Sequence, residues 1–320
     1  MVRPEPLCAE TPLDRLKGLT PVSRFYVRNN YPTPEPPTAL TIDGAVKRPA
    51  TLRPEDLRRL ARRRLTATLE CAGNGRVYMN PPVPGEPWGL GAVSTAEWEG
   101  VSLSSVLRPA EVAADAVEIV FHAADGFSRS LPVEVALAQD TLLVDMMNGA
   151  PLTREHGAPL RMLVPGWYGM AAVKWLARIE AARTPFRGHF QVERYVIGDR
   201  PLGAMLPRSL IIEPSEGMEI ALSPQVVRGV AWTGSGEVSA VEVSDDGGTT
   251  WAAARLLGKH QPYTWREWTY QWSPKRPEAA VLLSRATDST GSRQPLEPVW
   301  NALGYCNNGA VPRRVVVHPG

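Results

Sequence analysis

The sequence predicts an α+β domain over residues 1–205, followed by an all-β immunoglobulin-like sandwich over residues 206–320. Three observations predict this. Up to about residue 205, apolar runs of strand length alternate with short helical segments and long loops. Beyond it, alternating apolar strands follow one another at turn spacing with no helix-forming stretch. The 31 prolines and 27 glycines among 320 residues exclude a helical bundle, while 43% hydrophobic residues are enough for two ordinary cores.

Residues 1–36 read as extended and proline-punctuated, ending in Tyr31-Pro-Thr-Pro-Glu-Pro-Pro37. Residues 38–46 alternate as a strand with Asp43-Gly44 as a turn signal. A cap at Thr51, an early Pro54 and the acidic Glu55 and Asp56 predict a helix over 51–60. Leu65, Ala67, Leu69 and Cys71 then fall on one face of a half-buried strand, with Thr66, Thr68 and Glu70 on the other. After a long loop through Pro87 come strands at 116–123 and 142–147, a short helix at 132–139 between them, and an apolar strand at 159–165. The second half reads as strands 209–213, 226–232, 238–244, 251–257, 264–272 and 279–286, with Asp245-Asp-Gly-Gly248 as a tight turn.

A formal net charge of +2 argues against a nucleic-acid partner, and no apolar stretch approaches membrane-span length. The basic run Arg58-Arg-Leu-Ala-Arg-Arg-Arg64 reads as the solvated face of the helix opening near Pro54. Residues 1–8 hold no apolar core of signal-peptide length, so the expected compartment is the cytoplasm, with the periplasm as the alternative if a leader has been removed. Cys8, Cys71 and Cys306 are odd in number and widely separated, giving neither a disulfide framework nor a CxxC pair. No CxxCH haem site or iron–sulfur cysteine cluster occurs.

Chemistry concentrates around Cys71. It closes a strand, and the Ala-Gly-Asn-Gly turn and Arg76 follow directly, so the sulfur projects toward a loop-lined pocket. A lone cysteine is more often a small buried hydrophobe, and only its company decides between the two. The segment Thr66-Ala-Thr-Leu-Glu-Cys-Ala-Gly-Asn-Gly-Arg76 resembles the cysteine loop of the sulfite oxidase family of molybdopterin enzymes, which includes eukaryotic nitrate reductases. Further stretches resemble that family in order. They are Arg28-Asn-Asn-Tyr-Pro-Thr-Pro34, the run from Trp88 to Leu103, Asp125 to Pro132, Arg154-Glu-His-Gly-Ala-Pro-Leu-Arg161, and Val164-Pro-Gly-Trp-Tyr-Gly-Met-Ala-Ala-Val-Lys-Trp-Leu176. Phe190-Gln-Val-Glu-Arg-Tyr195, Val243 to Trp251 and Trp300-Asn-Ala-Leu-Gly304 complete the series, so the likeness spans roughly residues 22–318.

The resemblance implies a sulfite-oxidase-type molybdopterin-binding domain, a homodimerising second domain, and molybdenum with molybdopterin as cofactor. Cys71 would ligate the metal. Val27, Asn29, Asn30, Ser94, Asp125, His156, Gly169 and Lys174 would contact the cofactor, Lys174 suiting its phosphate. Arg28, Arg76, Trp88 and Tyr195 would line the substrate pocket, with Arg28, Arg76 and Tyr195 catalytic; guanidinium forks suit a small oxyanion because they bind oxygen pairs and stay charged.

The implied reaction is oxygen-atom transfer, sulfite to sulfate, with electrons leaving to an external acceptor such as a c-type cytochrome. Three departures bear on it. Asn30 replaces a usual histidine and cannot carry a proton at neutral pH, Ala171 replaces an arginine of the phosphate segment, and Leu303 replaces the arginine of sulfite oxidases. A missing cation there weakens a dianion more than a monoanion, so nitrate is the alternative substrate. Reduction of a sulfoxide and a cofactor-free binding protein are the others.

Overall fold

The computed structural model describes residues 1–319. Up to residue 205 the larger features are two five-stranded sheets. In one, Ala150–Pro151, Leu142–Met147, Val93–Ser102 and Arg62–Glu70 lie in that order, and Arg161–Leu163 also pairs with Leu142–Met147, all antiparallel. The other runs Ala50–Leu52, Leu40–Gly44, Leu176–Ala182, Glu118–Ala123, Ser128–Pro132, and its pairing of Leu40–Gly44 with Leu176–Ala182 is parallel. The α-helices are single turns, Leu103–Leu107, Val133–Ala136 and His189–Val192, and the rest of the helical content is 3-10. The large core between these elements holds Ile42, Val101, Phe121, Leu131 and Ile179 with almost no exposure.

Beyond residue 205 a four-stranded sheet (Arg208–Glu213, Gln225–Trp232, Arg266–Trp272, Arg255–Leu256) faces a five-stranded one (Met218–Ala221, Arg313–His318, Ala279–Asp288, Val238–Ser244, Ala252–Ala253). Ile211, Val227, Trp268 and Trp272 from the first meet Val241, Leu282 and Val315 from the second in one apolar cluster, the sandwich arrangement expected of alternating strands. Two of its strands, Met218–Ala221 and Arg313–His318, are not among those predicted, and the predicted strand at 251–257 is two short pieces.

Two readings of the first half are corrected. The predicted helix over 51–60 is an edge strand, Ala50–Leu52, followed by a 3-10 turn, Pro54–Arg59, in which Asp56 accepts the Arg53 N–H at 2.9 Å. The basic run is therefore not one helix face. Arg62, Arg63 and Arg64 begin the long strand and pair with Glu99, Asp140 and Glu97 at 3.2, 2.6 and 3.5 Å, acidic partners that lie far along the chain. The alternation of residues 65–71 also fails at its end. Thr68 and Glu70, on the predicted solvent face, are 0% and 2% exposed because the C-terminal half covers them. There the Trp265 N–H donates to Thr68 Oγ1 at 2.8 Å, and Arg208 donates to Glu70.

Candidate functional site

The strand Arg62–Glu70 pairs with Val93–Ser102 through Glu70 opposite Val93, and the Cys71 N–H extends the contact to the Ala92 carbonyl at 2.8 Å. The chain then turns back on itself, the Asn74 N–H donating to the Cys71 carbonyl at 2.9 Å. Two glycines make the turn possible. Gly75 sits at φ +83°, and a Cβ there would lie 2.7 Å from the Arg208 guanidinium; at Gly73 a Cβ would lie 2.5 Å from that of Arg76. The turn leaves Cys71 on the wall of an open cleft.

Nine of the residues singled out in the sequence meet on this wall: Cys71 with Arg28, Asn29, Asn30, Asp125, His156, Gly169, Lys174 and Tyr195. Arg28 donates to Asn30 Oδ1 at 2.6 Å, and Asn30 Nδ2 lies 3.4 Å from the Tyr195 hydroxyl. Tyr195 is held at φ +53°, a conformation a tyrosine adopts only when its surroundings fix it. Lys174 Nζ donates to Asn29 Oδ1 and, at 2.8 Å, to the Glu155 carbonyl, and it lies 4.3 Å from the Trp175 ring centre. His156 Nε2 meets the Val22 carbonyl at 3.1 Å.

Burial governs the electrostatics. It raises the Cys71 thiol above the ordinary cysteine value, while Arg28, the Gly73 N–H and Arg76 pull the other way. The thiol is neutral in the free chain, and binding a metal is what would deprotonate it. Burial and the neighbouring Arg161 lower His156 to about 4, so its ring is neutral at pH 7. Burial, then Arg161, hold Lys174 well below the usual lysine range, and burial lowers Arg161 itself to about 10.

Arg161 is the residue the sequence reading passed over as a site. It is 5% exposed, lines the cleft, donates to the His156 and Ala172 carbonyls at 3.1 and 3.2 Å, and lies over the Trp98 ring. Its position five residues after His156 in an already recognised motif is the signal that could have found it. It also bears on the arginine expected at Ala171, which lies in the 3-10 turn Gly169–Ala171, since Arg161 supplies a buried cation to the cleft wall from the strand Arg161–Leu163.

Val27, Arg76, Trp88 and Ser94 are not on the cleft wall. Val27 pairs with Ala9 in a two-stranded sheet. Ser94 Oγ bonds Thr11 Oγ1 at 2.6 Å and accepts the Tyr26 N–H at 3.0 Å. Trp88 is fully buried in the apolar cluster that includes Cys71, and its Nε1 has no partner among the described residues. Arg76 is turned toward the C-terminal segment. Its Nε donates to the Leu303 carbonyl at 3.2 Å, its Nη1 to the Glu86 carbonyl at 2.8 Å, and its guanidinium lies 5.3 Å from the Tyr305 ring centre. The Tyr305 ring also stacks on Tyr195, centroids 5.3 Å apart at 25°. The Leu303 side chain packs on the main core, so no cation stands at that position.

The residues present fit a molybdopterin. The cleft is lined by the guanidiniums of Arg28 and Arg161 and the amine of Lys174 against one carboxylate, Asp125, and an anionic ligand there would favour the charged form of Lys174. The described residues hold no grouping of three or more His, Cys, Asp or Glu, so a metal at Cys71 must take its other ligands from a cofactor.

A single cysteine on a cationic cleft, in an α+β domain followed by a β-sandwich, defines a molybdopterin oxidoreductase. Comparison with known proteins agrees. The family described as oxidoreductase molybdopterin binding domain matches residues 30–190, and the Mo-co oxidoreductase dimerisation domain matches residues 202–318. Sulfite oxidase of Gallus gallus is 35% identical over 94% of this chain and 74% of its own length. Mitochondrial sulfite oxidase of Homo sapiens is 33% identical over 98% of this chain and 65% of its own length. Nitrate reductase [NADH] 2 of Phaseolus vulgaris is 31% identical over 95% of this chain, which spans only 40% of it. The crystal structure of the sulfane dehydrogenase SoxCD from Paracoccus pantotrophus superposes with a TM-score of 0.85 at 30% identity, covering 95% of this chain and 83% of that one. The chain belongs to the sulfite oxidase family and is a molybdenum-dependent oxidoreductase with a β-rich dimerisation domain.

Proposed function

We propose that this chain oxidises sulfite to sulfate, the added oxygen coming from water, and that two electrons and two protons leave, the electrons passing singly to an external carrier such as a c-type cytochrome. The observation that carries this reading is Cys71 on one cleft wall with Arg28 and Tyr195. When bound, the molybdenum cofactor supplies the oxygen-atom transfer and accepts the electron pair. Cys71 is its thiolate ligand. Lys174 and Arg161 hold its anionic end, Asp125, Asn29 and Gly169 lie against it, and His156 meets it as a neutral ring. Arg28 presents the charge that draws in an oxyanion, and the Tyr195 hydroxyl donates a hydrogen bond beside it. Val27, Ser94 and Trp88 act from behind the wall, by fixing the Arg28 strand and the Cys71 cluster. Arg76 acts through Tyr305 and Tyr195.

In this reading residues 1–205 form the catalytic unit. Residues 206–320 form an immunoglobulin-like sandwich that pairs two copies into a homodimer. The cytoplasmic expectation is a proposal that cell fractionation tests.

Steady-state sulfite oxidation by the molybdenum-loaded chain, with a cytochrome or dye acceptor, tests the activity, and sulfite turnover surviving Cys71→Ser contradicts the ligand role. Nitrate reduction is the second reading. It is favoured by Leu303, which offers Arg76 a carbonyl and leaves the pocket one cation short for a dianion. Turnover of nitrate with a reduced dye, in a preparation inert to sulfite, would replace the first reading with the second.

A further inference from the structure

We infer that the C-terminal sandwich is a working part of the cysteine site: Arg208 and Trp232 are positioning residues that hold Cys71 in place through Glu70 and the loop at 71–76. The Glu70 carboxylate, one residue before the thiol, accepts from three donors. Arg208 donates at 3.0 Å and Trp232 Nε1 at 2.8 Å, both from the sandwich, and Asn74 Nδ2 at 3.0 Å from within the loop. The same Arg208 nitrogen also donates to the Asn74 carbonyl at 3.2 Å.

The clamp does not end there. Asn307 Nδ2 donates to the Gly75 carbonyl at 2.7 Å, and the Cys306 N–H donates to the Ala72 carbonyl at 2.8 Å. The backbone between strand end and Arg76 is thus held at the Ala72, Asn74 and Gly75 carbonyls by groups from more than 130 positions further along the chain.

Glu70 and Arg208 are 3% and 1% exposed at the side chain, so neither has water to fall back on. A carboxylate and a guanidinium sealed together resist displacement, since parting them leaves two unpaired buried charges. Replacing both with apolar residues of like volume would often keep or raise stability, so stability alone does not account for such a pair; a fixed geometry does. The geometry it fixes is that of the adjacent residue, Cys71. A thiol that must meet a metal within a few tenths of an ångström needs its backbone held on both sides; its own domain bonds the Cys71 N–H and Asn74 Oδ1 to Ala92 and the Gly75 N–H to Gly89, and the Ala72, Asn74 and Gly75 carbonyls are held by the C-terminal half.

The test uses the full chain with Arg208→Met, Arg208→Lys and Trp232→Phe. In cofactor-free protein, alkylation of Cys71 relative to Cys8, read by mass spectrometry, should rise about tenfold or more in Arg208→Met and less in Arg208→Lys. In loaded protein, kcat per bound molybdenum for sulfite should fall about tenfold with KM changed less than about threefold, because the substrate-facing Arg28 is untouched. A merely structural clamp would lower the thermal midpoint and the yield but leave kcat per molybdenum alone. Cys71 alkylation within twofold of the wild type, or unchanged kcat per molybdenum, overturns the inference. If Arg208→Met does not fold, Trp232→Phe, which deletes one hydrogen bond, is judged by the same two criteria. The kinetic arm rests on the molybdenum reading and the alkylation arm does not, so the failure of one is distinguishable from the failure of the other.

Discussion

Arg76→Lys separates two roles for an arginine that the sequence places in the substrate pocket and the structure turns toward the C-terminal segment. The guanidinium makes two directed bonds, to the carbonyls of Leu303 and Glu86, and lies against Tyr305. An ammonium on a four-carbon stem reaches one of these carbonyls and gives up the bond to the other. A hydrogen bond to a charged group is worth about 1.5–3 kcal/mol, and the weaker cation–π contact adds about 0.5–1 kcal/mol, so the variant should lose about 2–4 kcal/mol. In a chain of this size that corresponds to a midpoint lower by about 3–6 °C. Differential scanning calorimetry of the cofactor-free chain reads the stability, and initial rates of the loaded enzyme read the KM for sulfite, expected within about threefold of the wild type. A midpoint unchanged within about 1 °C together with a KM raised tenfold or more would refute the reasoning, because it would show the guanidinium free to hold substrate.

Three further outcomes follow from the site. Lys174→Met should release cofactor, with molybdenum per chain after dialysis falling about tenfold through the lost charge-assisted contact, while the midpoint of the cofactor-free protein does not drop, since burial already disfavours the lysine charge. His156 is about 4 folded against 6.5 unfolded, so the unfolded chain binds the extra proton between those values. Its contribution, up to about 3 kcal/mol, is fully present above pH 6.5 and lost as pH falls through 4, and urea titrations across that window should show a shallower slope in His156→Gln. Gly75→Ala puts a Cβ 2.7 Å from Arg208 at φ +83°; it should cost about 1–3 kcal/mol and is read by chemical denaturation.

The pattern of residues 65–71 shows how far the sequence reaches and where it stops. Leu65, Ala67 and Leu69 mark one strand face by their chemistry, and the glycines mark the turn by the angles they alone tolerate. Thr68 and Glu70 read as solvated because alternation separates apolar from polar, and a polar side chain facing water looks the same as one facing buried donors. The basic run misled for a related reason. Arg62–Arg64 are neutralised by Glu97, Glu99 and Asp140, which no local window contains. Met218–Ala221 is four residues long and mostly exposed, so Met218 and Ile220 alone give too short an alternation to read.

By itself the sequence determined the two-part architecture, the cysteine turn, and nine residues that share the cleft, because strand periodicity, glycine conformations and ordered motifs are local properties of the chain. Only the tertiary structure decided that Arg76 faces the C-terminal segment, that Arg161 joins the cationic wall, and that Glu70 is locked beneath Arg208 and Trp232. Those are outcomes of burial and of pairing between distant residues. The energy of a buried charge depends on what surrounds it in space, and no neighbour in sequence carries that information.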